Sequence, residues 1–497
     1  MKQSMDRRQF IKTAAGGMAS AAALGVMGEL PHALAEEKPA PLFPGKKQFA
    51  GSGTVRKVTE DILYIGVDDR RIALFENVYP VPRGVSYNSY LLLDEKTVLF
   101  DTVDRTAINP FFENLETALK GRGLDYMVIQ HMEPDHSAAL SQVMARYPGV
   151  KLLCSAAAAK IINQFFDFRV EDWGYIVKEG MELSTGKHNL TFVEAPMVHW
   201  PEVIVTYDST DKVLFSADAF GTFGALGGNL FADEVNFKEE WLPDARRYYT
   251  NIVGKYGQQV QDVLKKAATL DIQMLLPLHG PLWREDLGWL LDKYDKWSSY
   301  TPEEPEAALV MYGSIYGGTE NAANLLAKRL SQGGQRNVAT YDVSKTHVSE
   351  LIAEAFRCGH MALCSVTYNM DVFTPMKNAL NDFAAHNLQN RSYSLVENGS
   401  WSPAAAAKME AILGGMKNMR KVGDTVTLLS TPNEETAQQL NKLGDDILAA
   451  LGGVAQPQDT AAQAAAAVAW KCRVCGYIYE GDPLPDNYTC PVCGVDA

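Results

Sequence analysis

Between about residues 50 and 300 the apolar positions fall into short runs: ILYIGV, IALFENV, SYLLL, TVLFDTV, YMVIQ, KLLCSA, LTFVEAPMV, EVIVTY and KVLFSA. Runs of about four to eight apolar and β-branched residues, bounded by Gly, Pro, Asp and Asn, predict buried strands. Asn109–Lys120 and Ala245–Ala268 lie between such runs and predict helices. Together they predict a layered α/β unit with two sheets over residues 50–300. A Pro/Glu stretch, TPEEPE at 301–306, marks a boundary. Beyond it the pattern becomes strand, glycine loop, helix, repeated. AALVMYGS feeds GGTENAANLLAKRL, HMALCSVTY feeds a loop and a helix near Met376–Asn387, and RSYSLVENG feeds a third loop. That alternation predicts a parallel sheet with right-handed crossovers over residues 305–450. Residues 451–469 form an Ala/Gln/Pro-rich linker, and residues 470–497 a small Cys-rich terminus.

The first 35 residues carry a different signal. Arg7 and Arg8 sit in DRRQFIK, an Ala/Gly-rich run extends from Ala14 to Gly28, and Ala33-Leu34-Ala35 offers a small-x-small cleavage site. The three parts predict a twin-arginine export signal over residues 1–35, hence a periplasmic protein, with the cytoplasm as the alternative. The apolar run is too short and too rich in small residues to span a bilayer, so no stable membrane insertion is expected.

Composition narrows the partners. The chain has 497 residues, 46% hydrophobic and 21% charged, the usage of a folded protein of two to four domains. Its net charge of −14 and the lack of any Lys/Arg-rich run exclude a nucleic-acid protein. Four of its seven cysteines lie in the last 26 residues, as Cys472-x2-Cys475 and Cys490-x2-Cys493, 14 residues apart. Two such knuckles converging on one metal give tetrahedral S4, suited to zinc or iron. A tail this short needs a metal to hold its fold. Cys154, Cys358 and Cys364 read as core thiols.

A carboxylate–histidine constellation is the sharpest motif. VIQHMEPDHS places His131, Glu133, Asp135 and His136 directly after a strand-like run; His199 follows TFVEAPMV, Asp218 follows KVLFSA, and His279 follows IQMLLPL. All sit where strands give way to loops, the positions from which side chains converge when sheets pack. Seven such groups exceed one tetrahedral zinc and suit two metals with open positions for substrate. His32, His188, His347, His360 and His386 share no such pattern and read as structural. In the second half, YGSIYGGTEN follows a strand and opens a helix, where hydroxyls and backbone N–H groups can wrap a phosphate. SVTYNMD and ENGSW follow the next strands, so three loops gather at the carboxyl ends of a parallel sheet.

These motifs carry a resemblance. KCRVCGYIYEG and PDNYTCPVCG, with Trp470, Tyr477 and Tyr479 nearby, resemble rubredoxin in its short, rubrerythrin-type version, which implies iron at Cys472, Cys475, Cys490 and Cys493. The His/Asp cluster resembles the metallo-β-lactamase fold, whose hydrolases carry H-x-H-x-D-H for two zincs. Here Glu133 replaces the second His, a hard carboxylate that favours ferric iron. H-x-E-x-D-H with MVHWPE, SADAFG and PLHGPLW is similar to the flavodiiron proteins over nearly all of residues 50–450. The resemblance implies an αββα sandwich, a flavodoxin-like doubly wound sheet and a rubredoxin-like knuckle domain. It implies His131, Glu133 and His199 on one iron, Asp135, His136 and His279 on the other, and Asp218 bridging. It implies FMN, with its phosphate held by Ser314, Ile315, Tyr316, Gly317, Gly318 and Thr319. The ring would be lined by Ser365, Val366, Thr367, Tyr368 and Asn369, and by Asn398, Gly399, Ser400 and Trp401. The implied activity is reduction of O2 to water, of NO to N2O, or both, with electrons passing from rubredoxin iron to FMN to the diiron site. An external reductase would donate them, and a head-to-tail homodimer or homotetramer is implied. A zinc hydrolase of the lactamase class, or a non-catalytic electron carrier or redox sensor, are the competing readings.

Overall fold

The computed structural model describes residues 54–452 and, beyond them, positions 470–472, 474, 478–479, 489–490 and 493–494. The expected leader over 1–35, most of the 451–469 linker, Cys475, Tyr477 and parts of the terminus lie outside the described residues.

The apolar runs of the first half become two sheets. One has seven strands in the order Arg56–Lys57, Ile62–Tyr64, Tyr90–Leu93, Thr97–Phe100, Tyr126–Ile129, Lys151–Cys154 and Gly174–Ile176. Its early pairings are antiparallel, and those from Thr97–Phe100 onward are parallel. The second has five: Glu182–Ser184, Asn189–Glu194, Ile204–Asp208, Val213–Phe215 and Met274–Leu276. The sheets meet face to face. Phe100 of the first stacks on Phe215 of the second, with ring centroids 3.8 Å apart and planes 8° from parallel. Helix Ile108–Leu119 buries Phe111, Phe112 and Leu115 into the same core, and Leu287–Ser298 buries Leu290, Tyr294 and Trp297. This is the expected layered sandwich.

The second half is a parallel sheet ordered Val338–Asp342, Glu304–Gly313, Cys358–Tyr368, Ser392–Asn398, then Arg420–Lys421 and Val426–Leu428. Helices Gly318–Gln332 and Glu434–Gly452 supply Leu326, Leu330, Leu440 and Ile447 to one core. Helices Val348–Arg357, Thr374–Ala385 and Ala405–Gly414 supply Leu351, Met376, Leu380 and Met409 to another. Two cores flanking one sheet make it doubly wound, and the strand order reverses beside Glu304–Gly313, where ligand loops gather. Among the described residues no helix is long and apolar enough to cross a membrane.

One expectation is corrected. The single helix over Ala245–Ala268 is instead Leu242–Tyr248, a π-turn at Tyr249–Val253, a 3-10 turn at Gly254–Tyr256 and a helix at Gly257–Ala267. The break is set by packing: the Gly257 N–H donates to the Tyr300 hydroxyl at 3.1 Å, and a Cβ there would collide with the Ser298 carbonyl. The TPEEPE stretch is tied into the structure on both sides. Glu304 already belongs to the strand, and Glu303 is buried on Arg246 Nε at 2.5 Å, Trp297 Nε1 at 3.0 Å and Lys293 Nζ at 3.1 Å. Arg247 ties the two halves together further, donating to Ser349 Oγ at 2.8 Å and to the Pro80 carbonyl at 2.7 Å.

Candidate metal centre and neighbouring loops

The sandwich gathers the seven metal-ligand candidates at one end. His131 follows strand Tyr126–Ile129, Glu133 precedes the short helix Pro134–Ser137, and that helix carries Asp135 and His136. His199, Asp218 and His279 follow Asn189–Glu194, Val213–Phe215 and Met274–Leu276 of the other sheet. None of the seven is more than 8% exposed.

They divide into two groups, each able to surround one ion: His131, Glu133, His199 and Asp218, and Asp135, His136 and His279. In the first, Glu133 Oε2 lies 3.0 Å from His199 Nε2 and 3.2 Å from His131 Nε2, and Asp218 Oδ2 lies 3.1 Å from His199 Nε2. In the second, His136 Nε2 and His279 Nε2 are 3.0 Å apart, with Asp135 Oδ2 at 3.4 and 3.3 Å from them. Asp218 reaches both, its Oδ1 lying 3.2 Å from His136 Nε2.

The electrostatics describe a cation site. Among the described residues no lysine or arginine pairs with Glu133, Asp135 or Asp218. Both Asp135 oxygens and Asp218 Oδ1 are buried without a hydrogen-bond donor. Burial alone would lower His199 and His136, but Glu133 and Asp218 raise His199 to about 10, and Asp135 and Asp218 raise His136 to about 9. Burial would likewise raise Glu133 and Asp218, yet the facing histidines hold both well below the carboxylate range. Buried Glu133 and Asp218 held ionised against imidazole nitrogens, with both Asp135 oxygens and Asp218 Oδ1 left without a donor, fit two hard cations.

Sequence reading missed the residues behind these ligands. Glu202 Oε1 accepts from His131 Nδ1 at 2.8 Å, and the Ser86 carbonyl accepts from His279 Nδ1 at 2.7 Å. Asp101, fully buried and raised by that burial to about 6, takes the backbone N–H groups of Gln130 and His131 at 2.8 and 3.2 Å. Phe75, Tyr248 and Tyr87 flank His279 at ring-centroid distances of 5.4, 5.5 and 6.1 Å, and Trp200 meets His131 edge-on at 5.3 Å. Glu202 carried a signal, three residues after His199; the aromatic wall looks like ordinary core.

His188 belongs to a separate cluster with Asp208 and Asp211. Its Nδ1 bonds Asp208 at 2.8 Å and its Nε2 bonds Asp61 at 3.1 Å, so a proton on each nitrogen satisfies the ring and it remains structural. Cys154, Cys358 and Cys364 are buried, and burial pushes each thiol up to about 12.

In the second half, Ser314–Thr319 forms the loop into helix Gly318–Gln332. Gly317 turns it at φ +89°, its N–H donates to Ser314 Oγ at 3.1 Å, and Ile315 and Tyr316 project into solvent. Ser365, Val366, Thr367 and Tyr368 are not loop residues. They end the strand Cys358–Tyr368, which turns through Asn369 and Met370 at φ 52° and 58° and pairs back on Asp371–Val372. The Ser365 hydroxyl is used internally, donating to Val366 and accepting from Phe373 N–H. Thr367 Oγ1 accepts from Ala404 and Ala405 N–H groups. Asn398 is a buried bracket: Nδ2 donates to Thr319 Oγ1 at 3.2 Å and to the Ser430 carbonyl at 2.9 Å, while Oδ1 accepts from Ser430 N–H at 3.0 Å. Ser430 also meets Ser400 Oγ at 2.9 Å, and a Cβ on Gly318 would collide with its carbonyl. The loop around Ser430 is therefore a fourth wall that the sequence reading missed. Gly399 donates to Leu428, and Trp401 is 89% exposed beside these loops.

At the terminus Cys472, Cys490 and Cys493 come together, with Cys472 Sγ 3.6 Å from Cys493 Sγ. A disulfide requires about 2.05 Å, whereas tetrahedral thiolates at about 2.3 Å from a metal lie about 3.8 Å apart.

The comparisons agree with this geometry. Residues 85–280 match a family described as ODP family beta lactamase, and residues 470–497 match rubrerythrin, rubredoxin-like domain. The anaerobic nitric oxide reductase flavorubredoxin of Escherichia coli O1:K1 / APEC is 28% identical over 88% of this chain and 96% of its own length. The rubredoxin oxygen:oxidoreductase of Desulfovibrio gigas superposes with a TM-score of 0.74 at 27% identity, over 80% of this chain and 98% of that one. The flavodiiron protein of Giardia intestinalis shares the fold, with a TM-score of 0.73 at 23% identity over 82% of this chain and 99% of that one. Paired ligand groups in a lactamase-like sandwich, a doubly wound second unit and a thiolate knuckle make the chain similar, along most of its length, to flavorubredoxin and the flavodiiron proteins, with a C-terminal segment that matches a rubredoxin-like domain.

Proposed function

We propose that the chain is a flavodiiron oxidoreductase that reduces NO, O2 or both, fed by an external reductase. The observation that carries the reading is Glu133. Its Oε2 stands within 3.2 Å of both His131 Nε2 and His199 Nε2, a hard carboxylate where zinc hydrolases of this fold place an imidazole. His131, Glu133 and His199 would hold one iron, Asp135, His136 and His279 the other, and Asp218 both. FMN would sit on the loops around Gly317 and Asn398, and Cys472, Cys475, Cys490 and Cys493 would hold a single iron. When bound, these groups would supply paired Lewis-acidic redox metals for a diatomic gas and a flavin able to store one or two electrons. The chain's own residues orient the ligands and dry the site: Glu202 and Ser86 fix ring nitrogens, and Phe75, Tyr87, Trp200 and Tyr248 wall off the imidazoles.

Two further parts are our reading of the sequence. The Arg7-Arg8 leader supports export in the folded state to the periplasm, which fractionation tests. Exposed Ile315, Tyr316, Met370, Trp401 and Leu429 support a head-to-tail assembly that covers the flavin loops, which light scattering tests. Metal and flavin analysis of the purified chain tests the function: iron and FMN are expected, and zinc at both positions without flavin overturns the reading.

A further inference from the structure

The two half-sites differ in what stands behind their histidines. Glu202 is fully buried and ionically paired with nothing but His131 among the described residues; its Oε1 takes the His131 Nδ1 proton at 2.8 Å and the Met132 N–H at 2.9 Å. Its other oxygen is buried without a donor, so the carboxylate's charge is directed at one ring. The strand-end packing fixes it there, because Ser155 Oγ donates to the Glu202 carbonyl at 2.8 Å. In the other half-site His279 Nδ1 meets only a neutral carbonyl, that of Ser86, and His136 Nδ1 is buried with no hydrogen-bond partner. A carboxylate behind a ligating imidazole fixes its tautomer and raises its basicity; a peptide carbonyl does so less, and an unpartnered nitrogen not at all.

We propose that Glu202 is a positioning residue that makes the His131–Glu133–His199 half-site the tighter of the two, so that metal fills it before the Asp135–His136–His279 half-site. It holds the Nδ1 proton of His131 in place, leaves the Nε2 lone pair aimed at Glu133 and Asp218, and makes that ring the stronger donor. This rests on the two-metal reading above.

The test is metal binding, independent of gas reduction. The full chain, carrying Cys472→Ser to silence the terminal site, is stripped of metal and titrated anaerobically with ferrous ion against a chromophoric chelator. Two classes of binding are expected. His199→Ala should abolish the tight class and His279→Ala the weak one. Glu202→Gln, which keeps the acceptor and removes the charge, should weaken the tight class about 10- to 100-fold and leave the weak class unchanged, while Glu202→Asp keeps the order of filling. Loss of the tight class in His279→Ala rather than His199→Ala, or equal weakening of both classes or of neither in Glu202→Gln, overturns the proposal. Fewer than two irons bound by the starting protein would overturn the two-metal reading itself. Should Glu202→Gln not fold, the His199→Ala and His279→Ala assignments decide the order of filling alone.

Discussion

His136 Nε2 and His279 Nε2 lie 3.0 Å apart in a fully buried pocket. Two imidazole lone pairs repel at that distance, so either a proton or a cation stands between them. Asp135 Oδ2 lies 3.3–3.4 Å from both nitrogens and Asp218 Oδ1 lies 3.2 Å from His136 Nε2, so these four side chains would hold a metal ion together.

His279→Ala should therefore remove one iron per chain and lower gas reduction by more than about 100-fold. FMN content and the thermal transition of the flavodoxin-like part should be unchanged. Metal analysis with flavin absorbance checks this.

Cys472→Ser should abolish the visible spectrum of the terminal iron. Gas reduction should survive when the flavin is reduced directly, because Cys472 Sγ and Cys493 Sγ, 3.6 Å apart, belong to the terminal knuckle and not to the buried cluster. Spectra and rates with a flavin-reducing dye check both halves of the prediction.

The Arg246–Glu303 pair locks the connection between the two halves, and burial opposes it while Arg246 holds the Glu303 carboxyl down at about 2. A depressed carboxyl contributes stability above its unfolded value of about 4.5 and loses it as pH falls through about 2. Glu303→Gln should cost roughly 3 kcal/mol at pH 7, and the deficit should shrink towards pH 2. Denaturant titrations of both proteins at several pH values check it.

His188 has the opposite sign. Burial would lower it, but Asp208 and Asp61 raise it to about 9. Its contribution is complete below the unfolded value of 6.5 and disappears as pH rises through about 9. His188→Gln should lower the melting temperature most near pH 6 and least near pH 9.5, read by calorimetry.

The seven cluster residues were legible because each follows an apolar strand-like run directly, and strand ends converge whenever two sheets stack. Glu202 carried only its place three residues after His199, and Asp101 and Ser86 carried no signal, because these roles depend on partners up to 193 positions away, as with Ser86 and His279. The Ala245–Ala268 helix broke for a comparable reason: the Ser298 carbonyl and Tyr300 hydroxyl that force the turn at Gly257 come from the end of helix Leu287–Ser298 and just past it. Loop chemistry was half legible. Gly317 announced a turn before a helix and HMALCSVTY announced the strand that carries Ser365, but nothing local marks Ser430 as the wall that Asn398 grips.

The most direct measurement mixes anaerobically reduced full-length protein with NO or with O2 in a stopped-flow instrument, following flavin absorbance and iron oxidation state together. The account predicts that flavin and iron both reoxidise within a turnover and that gas is consumed in proportion to the electrons delivered. Reoxidation of the flavin alone, with the iron remaining ferrous, would contradict it.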